Sequence, residues 1–97
     1  MKHYFEKTYP RRLVDLKKKL DPLATTAACS KDEEMAKAAV IEFQRQINLF
    51  YENTKLHIKQ LAPDNYYLER IHPSYIAKQM GKDTTTYLIM KFIYKFE

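Results

Sequence analysis

Glycine, cysteine and tryptophan are nearly missing from this chain: 97 residues hold one glycine, one cysteine and no tryptophan. A single glycine, Gly81, excludes the glycine-rich loops that cradle phosphates in nucleotide-binding enzymes. One glycine and four prolines are also few for a chain that turns often, which points to helices. Cys29 has no internal partner for a disulfide, so a reducing, cytoplasmic setting is expected. Lys31 is the only basic residue close to Cys29 in sequence, so an inert, buried or half-buried thiol is expected. No run approaches the roughly 20 apolar residues that cross a bilayer, and the segment from Met1 to Lys7 carries charges where a signal peptide is apolar. The only serines, Ser30 and Ser74, suit helix caps better than a nucleophile. Cys29, His3, His57 and His72 lack metal-ligand spacing, and the consecutive acids Asp32, Glu33 and Glu34 point in different directions on a helix. The expectation is a chain that is not an enzyme, with no cofactor, no metal, no small-molecule substrate and no membrane partner.

What the chain does have is a moderate hydrophobic content of 45%, a charged content of 30% and a net charge of +5. That length and composition suit one domain over residues 1–97. The charge is unevenly spread. Residues 1–20 hold seven Lys/Arg against two acids, residues 21–54 three against six, and residues 55–97 seven against four. Two basic ends flanking an acidic middle are compatible with a phosphate-backbone partner, and equally with a solvated surface rich in lysine.

Residues 2–9 are aromatic-rich, and their pattern leaves arm, strand and first helical turn open. Thr8 can cap a helix beginning near Pro10, and Leu13, Leu16 and Leu20 form its apolar stripe. Arg11, Arg12 and the run from Lys17 to Lys19 fill much of the remaining surface, where they face solvent or touch phosphates. The Asp21-Pro22 step is expected to end that helix, and residues 23–29 read as a connector or a short packed turn. Ser30-Lys-Asp-Glu33 reads as a capping box opening a long helix to about Leu61, which Pro63 stops. Along it Val40, Phe43, Ile47, Phe50, Thr54, His57 and Leu61 form a heptad-like seam. Thirty residues at 1.5 Å each span about 45 Å, long for so small a domain. The expectation is a break near Asn53-Thr54 or a second copy packed on the seam. A homodimer through Val40, Phe43, Ile47, Phe50 and Leu61 follows from the latter. His57 on this seam reads as a core histidine. Residues 62–65 form a turn, while residues 66–71 suit a short helix or a strand.

Residues 73–92 hold the mechanical parts of a helix-turn-helix. Ser74 can cap a short helix, on which Ile76, Ala77 and Met80 share a face. Gly81 ends it with a positive φ, and Asp83 or Thr84 can cap a second helix whose Tyr87 and Met90 face back. Small Ala77 lets the two helices cross closely. The segment Ile-Ala-Lys-Gln-Met-Gly-Lys-Asp-Thr-Thr-Thr-Tyr resembles the signature of the C-terminal DNA-binding domain of the bacterial chromosomal replication initiator, roughly Ile-Gly-Arg-x-Phe-Gly-Arg-Asp-His-Thr-Thr-Val. Ile76, Gly81, Asp83, Thr85 and Thr86 match outright, and Lys78, Met80 and Lys82 match in kind. Ala77, Thr84 and Tyr87 replace its glycine, histidine and valine. The resemblance covers about a fifth of the chain and implies that Asp83, Thr84 and Thr85 open a recognition helix. Residues 84–96 are also rich in β-branched and aromatic residues, so a C-terminal strand in an α+β fold stays open beside the helix.

The expected architecture is mainly α: a small helical domain with a long central helix and a helix-turn-helix over residues 73–93. The expected function is double-stranded DNA binding by a transcriptional regulator or replication accessory factor. Ser74, Lys78, Lys82, Asp83, Thr84, Thr85, Thr86 and Lys91 form its DNA-binding set. The competing reading is a protein-interaction or oligomerisation module without nucleic acid, or a small toxin or inhibitor.

Overall fold

A computed structural model describes residues 7–61 and 71–96, with side chains described for residues 7–56 and 71–96. The expectations for residues 1–6 and 62–70, and for the side chains of His57 and Leu61, lie outside the described residues. Four helices follow one another: α1 (Tyr9–Cys29), α2 (Glu33–Leu61), α3 (Pro73–Met80) and α4 (Thr85–Tyr94). The protein is mainly α, with no strand among the described residues. Of residues 84–96, Thr85–Tyr94 form a helix and not a strand, its N-cap made by the Thr84 hydroxyl, which accepts from the Tyr87 N–H at 3.1 Å.

Several helix boundaries depart from the sequence reading, and Thr8 precedes α1 without a side-chain cap bond. The first helix does not stop at Asp21-Pro22; α1 runs through Pro22 to Cys29. A proline inside a helix removes one N–H and crowds the carbonyl four residues back, at a cost of about 3 kcal/mol. Burial offsets that cost, since Leu20 and Ala24 on either side of the proline are fully buried. The Thr25 and Thr26 hydroxyls donate to the carbonyls of Asp21 and Pro22, at 3.0 and 3.1 Å. Cys29 sits exposed at the end of this extension, neither buried nor half-buried. At the second boundary Asp32, not Ser30, caps α2: its Oδ1 accepts from the N–H groups of Glu34 and Met35. Ser30 acts one step earlier, its Oγ accepting from the Asp32 N–H.

The long helix α2 neither breaks near Asn53-Thr54 nor waits for a second copy. It runs 29 residues, close to the molecule's longest dimension of 45 Å, and α1 folds back along it. Phe43, Ile47 and Phe50 of the expected oligomer seam are thereby covered inside the chain. Phe43, Ile47, Phe50 and Thr54 are buried, joined on the core face by Ala39, while Val40 is half-buried beside it. A dimer through Phe43, Ile47 and Phe50 would require the monomer to open. What α2 shows outside is a different apolar set, Ile41, Leu49 and Leu56.

Among the described residues α1, not α2, is the hub: it packs on α2, on α4 and more lightly on α3. Its stripe of Tyr9, Leu16, Leu20 and Ala24 joins Phe43, Ile47 and Phe50 with Ile71, Ile76, Ala77, Met80, Tyr87 and Met90 in one core. Tyr9 lies with its ring centroid 5.9 Å from that of Phe50, and the Arg12 guanidinium stands 4.9 Å from the same ring.

Candidate nucleic-acid interface

The helix pair α3–α4 is built by a short series of local contacts. His72, not Ser74, is the N-cap of α3: its Nδ1 accepts from the Ser74 N–H at 3.2 Å, and its ring also bonds the Ser74 hydroxyl at 2.8 Å. Pro73 follows in the first turn, where no N–H is needed. Ile76, Ala77 and Met80 point inward, and the fully buried Ala77 lets α4 approach.

The turn depends on Gly81, whose φ of 101° is open to glycine and strained for any other residue. A Cβ there would lie 3.2 Å from the Thr84 methyl. The Gly81 carbonyl accepts from both the Thr84 N–H at 3.2 Å and the Thr84 hydroxyl at 2.7 Å. One threonine thus closes the turn and caps the helix after it.

A polar tie between Thr86 and Asp21 joins α4 to α1. The Thr86 hydroxyl donates to Asp21 Oδ1, and the Lys17 ammonium holds Asp21 Oδ2 at 3.0 Å. Partial burial pushes the Asp21 carboxyl up, but the Thr86 hydroxyl and the Lys17 ammonium together hold it below its ordinary value. No local signal in the sequence announces this pair, because its members stand 65 residues apart.

The expected DNA-binding residues therefore divide. Thr86 is buried against Asp21 and cannot reach a ligand, which removes it from the set. Thr84 is committed to the turn, and Ser74 to the cap of α3. Lys78, Lys82, Asp83, Thr85 and Lys91 are exposed, and Lys95, which sequence reasoning passed over, joins them at the end of α4. Among the described residues none of the four lysines Lys78, Lys82, Lys91 and Lys95 forms an ion pair, and Asp83 is the one carboxylate of residues 73–96.

Comparison with protein-family models, with curated proteins and with solved structures finds no match. The likeness to the initiator signature thus rests on the residues of α3, the turn and the start of α4 alone.

The opposite side of α4 is unlike its edges. Thr86, Tyr87 and Met90 face the core, so Thr85, Leu88 and Phe92 point away from it. Leu88 is 59% and Phe92 77% exposed, the latter the most exposed large apolar side chain among the described residues. Nothing in the described chain covers Leu88 or Phe92, whereas Ile89 packs against the core. Among the described residues no group of three or more His, Cys, Asp and Glu side chains could hold a metal ion. No described helix is long and apolar enough to cross a membrane.

Proposed function

We propose that this chain binds double-stranded DNA through α3 and α4, in the manner of a transcriptional regulator or replication accessory factor. The observation that carries the reading is the pair of helices packed on each other and joined through Gly81, with Ala77 buried and α4 presenting its outward side. A two-helix unit joined by a short glycine-containing turn is the form in which a second helix enters a major groove. The exposed lysines at positions 78, 82, 91 and 95 supply cations for phosphates, which set affinity and orientation without reading sequence.

Titration of random duplex DNA at increasing salt tests this directly. Affinity should fall steeply with salt, and Lys82→Ala should flatten the log–log slope by about one unit on every sequence. Thr85→Ala should leave that slope alone and weaken a selected target by roughly 1–3 kcal/mol. Absence of salt-dependent binding at low ionic strength would falsify the proposal.

A second reading has its own observation. Ile41, Leu49 and Leu56 stand exposed on the side of α2 opposite the core. Contiguous exposed apolar surface marks interaction sites, and self-association as a homodimer through this face, rather than through Phe43, Ile47 and Phe50, is the form it would take.

A further inference from the structure

The outward stripe of α4 is made of Thr85, Leu88 and Phe92, spaced i, i+3 and i+7. Neither arginine, asparagine nor glutamine stands in it. The side chains that make bidentate hydrogen bonds to guanine or adenine are therefore missing from the face that would read bases. Two of the three side chains are apolar and largely exposed to water. Lys91 stands three residues beyond Leu88, which makes the two neighbours on the helix surface, and Lys95 caps the C-terminal end of α4 just past Phe92. Lys82 lies in the turn at the other end of the stripe. The apolar pair thus has three cations, Lys82, Lys91 and Lys95, around it against one carboxylate, Asp83. This net positive surround is complementary to a phosphate-walled groove and ill-matched to the interior of a protein interface, where charged residues are depleted.

Within the major groove one base offers an apolar group: thymine, through its C5 methyl. From this stripe we infer that α4 reads thymine methyl groups through Leu88 and Phe92, with Thr85 as the only polar reader beside them. The inference rests on the proposed DNA binding and names the base class that this site selects. Residues 85–92 advance about 10 Å along the helix axis, and a reading helix with contacts over a similar stretch spans three successive bases. Sites with thymines at adjacent steps are accordingly the favoured targets.

Replacing thymine by uracil removes the C5 methyl and leaves every hydrogen-bonding group in place. The experiment compares the full-length chain on two duplexes of one A·T-rich sequence, one containing thymine and one uracil throughout, at fixed salt. The wild type should bind the thymine duplex at least fivefold more tightly. Phe92→Ala and Leu88→Ala should each bring the ratio below twofold with little change on the uracil duplex, while Lys91→Ala should weaken both duplexes and keep the ratio. Both apolar positions are exposed, and circular dichroism checks that each variant keeps its helices. Equal, salt-dependent binding of the two duplexes by the wild type overturns methyl reading and leaves DNA binding standing. A preference that survives in Phe92→Ala and Leu88→Ala also overturns it, since the methyl then acts through duplex shape. Absence of binding to either duplex overturns the DNA reading beneath it. Loss of self-association in Phe92→Ala, measured by sedimentation, together with equal binding of the two duplexes, assigns the stripe to a second copy and overturns the inference as well.

Discussion

At Gly81 the backbone adopts φ of 101°, and the space a side chain would need is occupied at 3.2 Å by the Thr84 methyl. Strain and crowding act together there, so Gly81→Ala should lower unfolding stability by more than about 1 kcal/mol in a urea titration. A variant as stable as wild type would show that the turn does not hold this geometry. Asp21 sets a pH dependence of known sign. Its folded carboxyl titrates below the ordinary value of 3.8, held there by Thr86 and Lys17 against its partial burial. The stabilisation is present in full above the unfolded value and is lost as pH falls through the folded one. Acidification into that range should lower the melting temperature of the wild type more than that of Asp21→Asn, so the two curves converge. Parallel curves would remove Asp21 from the account of acid sensitivity.

For the elements, the decisive contact is the crossing of α3 and α4. Ala77 has no exposed surface, so Ala77→Leu must push the helices apart and should cost on the order of 1–3 kcal/mol in a thermal melt. A neutral melt would mean that the crossing is elsewhere. The inward faces of α3 and α4 were legible from the sequence, because Ile76, Ala77, Met80, Tyr87 and Met90 keep helical spacing and Gly81 interrupts it once. The seam of α2 was legible for the same reason, but its occupant was not. Periodicity says which face is apolar and leaves open whether α1 or a second copy covers it. Pro22 misled for a different reason: the local rule is sound, yet burial of Leu20 and Ala24 carried α1 seven residues past the proline. Asp21 and Thr86 were beyond sequence reading because neither sits in a pattern that depends on the other. At the site, Lys78, Lys82 and Lys91 were legible as exposed cations of the motif and Lys95 was passed over, whereas Thr86 was misassigned because the register of α4 on α1 decides which threonine turns inward.

Taken as a whole molecule, the chain carries a basic unit, α3–α4, and an apolar set on the outer side of α2, with α3–α4 and α2 both packed on α1. If self-association uses that side of α2, the wild type should sediment as more than a monomer at micromolar concentration and Ile41→Glu should restore the monomer. A wild type that is monomeric throughout would leave the exposed leucines and isoleucine as ordinary surface. The place of α1 between the two units has a consequence for how the chain acquires its shape. α1 and α2 are neighbours in sequence, joined through residues 30–32, whereas the tie of α4 to α1 closes 65 residues of chain. Loop closure is cheap for the first and dearer for the second. The α1–α2 hairpin should therefore form early and α3–α4 should dock onto it late, as a separately opening unit. In native-state hydrogen exchange the amides of α4 should open at lower free energy than those of α1 and α2 facing each other. If the proposed DNA binding holds, duplex DNA bound at α4 should slow that exchange, so that the last unit to dock is the one a ligand secures.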